Sequence, residues 1–164
     1  MSIFLVPGTV CVSKELMLVT TVLGSCVSVT MFSGRLGTGA ICHARLPHGR
    51  GTNPLDYVDT AIICMATILG RMGVKRDETE VKLFGGADVL DRASRVDRSV
   101  GRQNIETALG TIREIGLRLS GHAVGGSAGT KVNFQTSTGK VWWTHVGLEF
   151  VNQRNMAPRE RKGA

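Results

Sequence analysis

The stretch from Val27 to Phe32 constrains the fold most, because it alternates in polarity, is rich in β-branched residues and leads directly into a turn sequence. This pattern is typical of a half-buried strand. The residues Ser-Gly-Arg-Leu follow at 33–36, and glycine at the first central position suits a two-residue type II′ hairpin loop. If position 33 pairs with position 36, counting outward pairs position 26 with position 43.

Those two positions hold Cys26 and His43. Side chains directly opposite in an antiparallel pair share a face, with Cβ atoms about 4.5–5.5 Å apart. A thiol beside an imidazole is the arrangement that a cysteine hydrolase uses. Two alternatives stay open. Gly37 or Gly39 could lengthen the loop, and a one-residue slip would separate the pair; a free cysteine is also most often a small buried hydrophobe.

Composition predicts one globular domain. The chain has 164 residues and 42% hydrophobic content, without an apolar run long enough to cross a bilayer. Its start has neither a basic segment nor an adequate apolar segment for a secretory signal, so we expect a cytoplasmic protein with no membrane insertion. Its four cysteines form no C-x-x-C pair and have no histidine at zinc spacing, so we expect reduced thiols and no metal.

The net charge of +7 predicts an acidic partner or a solvated basic surface. We expect a single domain over residues 1–152 and a basic tail without order over residues 153–164. A second basic run lies within the domain. Aromatic residues make up 5% of the chain and none lies among these basic residues, so the sequence disfavours nucleic-acid binding. The basic run consists of Arg92, Arg95, Arg98 and Arg102.

Hydrophobic spacing predicts two main helices. Apolar residues between positions 58 and 72 recur at helical spacing until Gly73, and Asn53-Pro54 is typical of a helix start. A second helix is predicted from about Gly101 to Ile115. The order of elements predicts an α+β layered sandwich with a mixed, largely antiparallel sheet. The predicted strands are 9–12, 16–20, 27–32, 81–84, 117–124, 132–136 and 141–144.

Two glycine-rich loops follow predicted strands. Neither the pair Gly85 and Gly86 nor the loop that begins with Gly125 and Gly126 fits a dinucleotide or P-loop fingerprint. Plain turns account for the first pair better than ligand binding does. For the second loop a turn and a substrate loop are equally good interpretations, and all four glycines are candidates for a loop that lets substrate approach.

Several motifs together resemble the CheD family, whose members are chemoreceptor glutamine deamidases of bacterial chemotaxis. The resemblance runs from about Thr9 to Val146, with the motifs in the family's order. These motifs are Leu-Gly-Ser-Cys-Val at 23–27, His-Ala-Arg-Leu-Pro at 43–47, Tyr-Val-Asp-Thr-Ala at 57–61, Lys-Leu-Phe-Gly-Gly-Ala at 82–87 and Val-Gly-Gly at 124–126.

The resemblance implies that Cys26 is the nucleophile, His43 the general base and acid, and Thr20 the third, orienting residue, with Thr21 as its near competitor. A protein-glutamine glutaminase of this kind releases ammonia through a thioester and is expected to require no metal or organic cofactor. Backbone groups around Gly24 and Ser25 would then meet the oxyanion. We also expect an imidazolium at His43 to favour the thiolate of Cys26.

The implied partners are the cytoplasmic helices of chemoreceptors, and some family members bind the phosphatase CheC. Two other classes stay open from the residues alone. One is a different cysteine hydrolase, a peptidase or a transglutaminase-like enzyme. The other is a non-catalytic chemotaxis module that acts through its basic surface.

Overall fold

A computed structural model of the chain describes residues 1–88 and 99–147. Two predicted features, the basic tail at 153–164 and the arginines at 92, 95 and 98, lie outside these residues. The described elements are the strands β1 (Ser2–Phe4), β2 (Thr9–Ser13), β3 (Leu18–Leu23), β4 (Val27–Ser33), β5 (Thr38–His43), β6 (Thr79–Gly85), β7 (Leu119–Val124), β8 (Gly129–Gln135) and β9 (Val141–Val146), and the helices α1 (Val58–Arg71) and α2 (Val100–Glu114).

The strands form two mixed sheets stacked beneath the helices. The larger sheet has the order β2-β5-β4-β6-β7 and the smaller has the order β1-β3-β8-β9. Within each sheet one pair is parallel (β6 with β7, β1 with β3) and the other pairs are antiparallel. The α+β sandwich is therefore confirmed, with its strands divided between two sheets.

The apolar faces of the helices cover one side of the larger sheet. Buried residues of α1 and α2, such as Met65 and Ile112, pack with Val29 of β4 and Leu83 of β6. On the other side of that sheet, Ile41 of β5 packs with residues of the smaller sheet. The larger sheet is thus the middle layer, and polar side chains that face the smaller sheet lie in a closed interior.

Both predicted helices are confirmed, but the helix-start motif belongs to a different element. Asn53 caps a short 3-10 helix, Pro54–Asp56, by accepting a hydrogen bond from Leu55 N at 3.2 Å. Tyr57 is extended, and α1 begins after it. Among residues 1–88 and 99–147, no helix combines the length and the apolar character needed to cross a membrane.

The predicted register between β4 and β5 is wrong by two residues. Ser33 pairs with Thr38, so the loop has four residues rather than two. A type II′ turn needs positive φ at its first central residue, and in this loop the residue with positive φ is Gly37 (+56°), not Gly34. In the observed register Val27 faces Ala44. Because the slip is an even number of residues, it does not move either side chain to the opposite face.

Strand β5 alternates between the two interiors. Ala40 and Cys42 face the helices, whereas Ile41 and His43 face the smaller sheet. On β4, Val27 and Val29 face the helices. By the same alternation position 26 belongs to the side of the smaller sheet, so Cys26 and His43 are diagonal rather than directly opposed.

Candidate active site

His43 lies at the end of β5 and is buried, with 3% of its surface exposed. Its Nδ1 is 2.7 Å from the Thr21 hydroxyl, which in turn donates to Leu5 O at 2.8 Å. A hydroxyl has one proton, and here that proton is used on the carbonyl. Thr21 therefore accepts a hydrogen bond from Nδ1–H, and Nε2 of His43 is left as the unprotonated nitrogen.

The structure brings Thr21 to His43 and not Thr20, contrary to the preferred assignment. Alternation along β3 directs adjacent threonines to opposite faces of the smaller sheet. Thr21 is fully buried and faces β5, whereas the Thr20 hydroxyl donates to Asn133 Oδ1 at 2.9 Å. The residue types could not separate the two, because the sequence does not show which face of β3 a second sheet covers.

The imidazole of His43 is a neutral base at ordinary pH. Burial lowers the pKa of His43 to about 4, and the positive charge of Arg45 acts in the same direction, while the Leu5 carbonyl opposes them. Within the described residues Nε2 is buried and has no hydrogen-bond partner. The site therefore holds a free lone pair on a ring whose orientation is already set.

Cys26 lies in the short connection between β3 and β4, where it packs on Leu23, Phe84 and Val132. It is half-buried. Diagonal neighbours on adjacent strands have Cα atoms about 7–8 Å apart. Among the described residues no hydrogen bond joins its sulfur to Nε2 of His43. Cys26 and His43 thus face the same interior without a hydrogen bond between the thiol and Nε2.

The prediction that the Cys26 thiolate pairs with a His43 imidazolium is wrong for the free protein. Burial raises the pKa of the Cys26 thiol above its ordinary value. Arg45 and the backbone N–H of Cys26 lower that pKa, and Asp56 raises it. With the pKa of His43 near 4, both groups are neutral near pH 7. Two neutral partners react by general-base catalysis, in which the proton moves as the bond forms.

The loop before β4 is held by three successive carbonyl groups. Gly24 O accepts from Ala87 N at 2.9 Å, and Cys26 O accepts from Gly86 N at 2.8 Å. Between them, Ser25 O accepts from the side chain of Asn104 at 2.8 Å. We call residues 24–26 the nucleophile loop. Its carbonyl side is fastened to the end of β6 and to α2.

The first glycine pair supports this loop. Gly85 and Gly86 have φ values of +95° and +70°, and a Cβ on Gly85 would collide with Cys26 O. A Cβ on Gly86 would press into Ile105 and the carbonyl of Gly101. These two glycines lie under the nucleophile loop in close contact with it. Close packing is enough to explain glycine at positions 85 and 86, without a role in a substrate loop.

The second glycine pair lies in open space. Gly125 and Gly126 also have positive φ (+78° and +76°), but nothing lies within 4 Å of a Cβ on either residue. The loop is tied to the first pair by Gly125 N, which donates to Gly85 O at 2.9 Å. Gly125 and Gly126 therefore remain candidates for contact with substrate.

Sequence reasoning missed two residues at the site. Asn104 is a polar residue on the buried stripe of α2, and this polarity is the sequence signal that could have identified it. In the sequence, Arg45 is visible only as a member of the motif at 43–47. Its Nε and Nη2 donate to the two carboxylate oxygens of Asp56, at 3.0 and 2.7 Å. The half-exposed side chain puts a positive charge near Cys26 and His43.

The remaining cysteines do not form a second site. All four cysteines are free thiols. Burial raises the pKa of Cys42 to about 12, and burial also raises the pKa of Cys11. In the part of the chain that the structure describes, no group of three or more His, Cys, Asp or Glu side chains is arranged to hold a metal ion.

Comparison with known proteins identifies the family. Residues 44–145 match the model of the family described as CheD chemotactic sensory transduction. A protein from Geobacter sulfurreducens, "Probable chemoreceptor glutamine deamidase CheD 2", is 42% identical over 139 residues, which cover 85% of this chain and 86% of that protein. The "Probable chemoreceptor glutamine deamidase CheD" of Maridesulfovibrio salexigens is 39% identical over 85% of this chain and 89% of its own length. The chain belongs to the CheD family.

Proposed function

We propose that this protein is a chemoreceptor glutamine deamidase in which Cys26 is the nucleophile, His43 the general base and acid, and Thr21 the orienting residue. The observation that supports it best is the bare, buried Nε2 of His43, on a ring fixed by Thr21 and facing the same interior as Cys26. The names of the relatives supply the reaction and the substrate class.

The first step forms a bond between Cys26 Sγ and the carboxamide carbon of a receptor glutamine. Because both partners are neutral, the thiol proton passes to Nε2 of His43 as the sulfur attacks. The carbonyl oxygen of the substrate takes the negative charge. Backbone N–H groups of Ser25 and Cys26 are suited to meet it, since their peptide carbonyls are already held on the other side.

The second step breaks the bond between carbon and nitrogen. The imidazolium of His43 gives its proton to the departing nitrogen, ammonia leaves, and a thioester remains on Cys26. Water then attacks the thioester, with Nε2 again accepting a proton, and glutamate and the free thiol result. Burial favours the neutral ring, so the transient imidazolium is a strong acid toward the leaving group.

The partners follow from the same assignment. Receptor cytoplasmic helices are the proposed substrates, a location in the cytoplasm is proposed with them, and the phosphatase CheC is a proposed second partner. Gly125 and Gly126 are the proposed substrate loop, because the space beside them is open. Their backbone can approach a helix closely without a side chain between.

A receptor cytoplasmic fragment incubated with the full chain tests the assignment. We expect release of ammonia and conversion of glutamine to glutamate, mapped by mass spectrometry, with no conversion by the Cys26→Ala variant. Cys64→Ala, a half-buried thiol on α1, is the matched control and should retain activity. Turnover by Cys26→Ala would refute the mechanism. Chain cleavage or cross-linking would indicate another cysteine hydrolase, and binding without turnover a non-catalytic module.

The two neighbouring threonines give a second matched comparison. Thr21→Val keeps the shape but removes the acceptor for Nδ1–H, so the ring loses its fixed tautomer and we expect kcat to fall roughly 10- to 100-fold, part of what general-base catalysis contributes. Thr20→Val removes only the bond to Asn133 and should keep kcat within about threefold. The reverse order would return the orienting role to Thr20.

A further inference from the structure

Asn104 is a fully buried amide that contacts the backbone on both sides of the site. Its Nδ2 donates to Ser25 O at 2.8 Å and to Arg45 O at 3.0 Å. Both partners are carbonyls, so the nitrogen and not the oxygen of the amide must face them. The orientation of this side chain is therefore fixed by its contacts.

We propose that Asn104 is a positioning residue for deamidation, which aims the Cys26 N–H at the oxyanion and joins the nucleophile loop to the strand that bears His43. The proposal rests on the assignment of Cys26 as nucleophile. Asn104 acts through the backbone and does not itself touch the reacting atoms.

Peptide geometry gives the first step of the argument. In a trans peptide the C=O and the next N–H point in opposite directions, and no described peptide bond is cis. Because Ser25 O is held toward α2 by Asn104, the N–H of Cys26 points away from α2. That N–H also lowers the pKa of the Cys26 thiol. Cys26 packs on Leu23 and Val132 of the smaller sheet, whereas α2 covers the opposite side of the larger sheet. The N–H and the nucleophilic sulfur therefore both lie away from α2, where the oxyanion of an attacked carboxamide forms.

The three carbonyls of the nucleophile loop differ in how they are held. Gly24 O and Cys26 O accept from backbone N–H groups, which every residue except proline supplies. Ser25 O accepts from a side chain instead. The direction of the Cys26 N–H therefore depends on the identity of residue 104. Of these three peptides, only the one between Ser25 and Cys26 loses its hydrogen bond when a single side chain is substituted.

The second bond of Asn104 couples the two halves of the site. Arg45 is two residues beyond His43, and its carbonyl shares the same amide nitrogen as Ser25 O. Helix α2 packs directly on this region, because Gly101 lies against the carbonyls of Gly86 and Ala87 too closely to admit a Cβ. Asn104 is thus a short, rigid link between the loop of Cys26 and the continuation of β5.

Apolar packing does not explain the burial of Asn104. Its Oδ1 is buried without a hydrogen-bond partner among the described residues, and an unsatisfied buried acceptor costs about 1–3 kcal/mol. An apolar side chain would avoid that cost at a position on the buried stripe of α2. The two donated hydrogen bonds are what an apolar residue would lose.

Kinetics of Asn104→Ala and Asn104→Leu test the proposal, with Thr111→Val as the control on the same buried face of α2. Loss of an oxyanion donor typically lowers kcat by about 10²–10³-fold, so we expect about a 100-fold fall in kcat with KM within about threefold. Alkylation of Cys26 by iodoacetamide displaces iodide and forms no oxyanion. Its limiting rate at high pH should therefore change less than about threefold, while its pH midpoint rises because the N–H no longer lowers the thiol pKa.

Each other outcome would overturn the proposal. If kcat and the limiting alkylation rate fall together with the thermal midpoint, or if neither variant folds, Asn104 is structural only. If kcat matches that of Thr111→Val, the amide has no positioning role. Failure of the underlying assignment is seen separately, as ammonia release by Cys26→Ala or its absence in the unmodified protein.

Discussion

The two glycine pairs look alike in the sequence and differ in what surrounds them. Gly85-Gly86 lies at the end of β6, Gly125-Gly126 follows β7, and all four residues have positive φ. Around the first pair there is no room for a Cβ, because the nucleophile loop and α2 lie against it. Around the second pair there is open space. A glycine pair is thus required by packing at one position and only by backbone conformation at the other.

This difference divides the site into a supported side and an open side. The carbonyls of the nucleophile loop rest on the supported side, at Gly86, Ala87 and Asn104. The loop that begins at Gly125 is joined to it by two backbone hydrogen bonds, from Gly125 N to Gly85 O and from Asp88 N to Gly126 O, and leaves space beside it. Rigidity behind the nucleophile and access in front of it are the two conditions for reaction with a side chain on another protein.

The largest effect is expected from Gly85→Ala. The new methyl group would meet Cys26 O and the side chain of Leu23 in a left-handed backbone conformation, so it opposes both packing and φ. We expect unfolding free energy to fall by about 3 kcal/mol or more and ammonia release to be lost. Denaturant titration and the deamidation assay measure the two effects. Normal stability of this variant would refute the close packing of the loop on β6.

Gly85→Asn provides a control for the cause of that effect. Asparagine tolerates left-handed backbone better than alanine, but it adds the same Cβ. If asparagine restored stability at position 85, backbone conformation rather than collision with Cys26 O would be the requirement, and the contrast between the two glycine pairs would disappear.

Because His43 is neutral in the folded protein, we expect the stability of the fold to fall in acid, through a residue that lies behind the nucleophile loop. Its pKa is about 4 in the folded protein and about 6.5 when unfolded. Between these values the unfolded chain binds the proton more readily, so stability is fully present above pH 6.5 and declines as the pH falls to 4. This gap corresponds to about 3 kcal/mol. Unfolding of the His43→Gln variant should lack this part of the pH dependence.

The same pH series also tests the division of the site. Gly125→Ala should leave the pH dependence between 6.5 and 4 unchanged, because His43 is held by Thr21, which is bonded to Leu5. An altered midpoint in this variant would mean that the open loop affects the interior of the site and that the supported and open sides are not independent.

The sequence predicted the helices and the shared face better than it predicted contacts. The apolar stripes predicted α1 and α2 correctly, because the burial of one face of a helix is enough to produce apolar residues at helical spacing. The predicted register between β4 and β5 was wrong, because the length of the loop depends on which glycine adopts positive φ. That residue is Gly37 rather than Gly34. Face was nonetheless predicted correctly, since a slip of two residues preserves it.

Contacts that depend on a second layer could not be predicted in this way. Choosing between Thr20 and Thr21 requires knowing which side of β3 faces β5, and a period-two pattern with threonine at both positions does not show it. Asn104 contacts residues 79 and 59 positions earlier in the chain. Its polarity on an apolar stripe was visible, but its partners depend on how α2 packs.

The smallest effect is expected from substitutions in the open glycine pair. Gly125→Ala adds no collision and costs only the left-handed conformation, about 1–2 kcal/mol. Gly125→Asn should recover much of that loss, because asparagine occupies this conformation more readily. The rescue at position 125 and its absence at position 85, measured in one denaturant series, would establish the contrast. If kcat falls while KM stays constant in the asparagine variant, the loop takes part in more than substrate approach; a rise in KM alone fits the proposed contact with receptor helices.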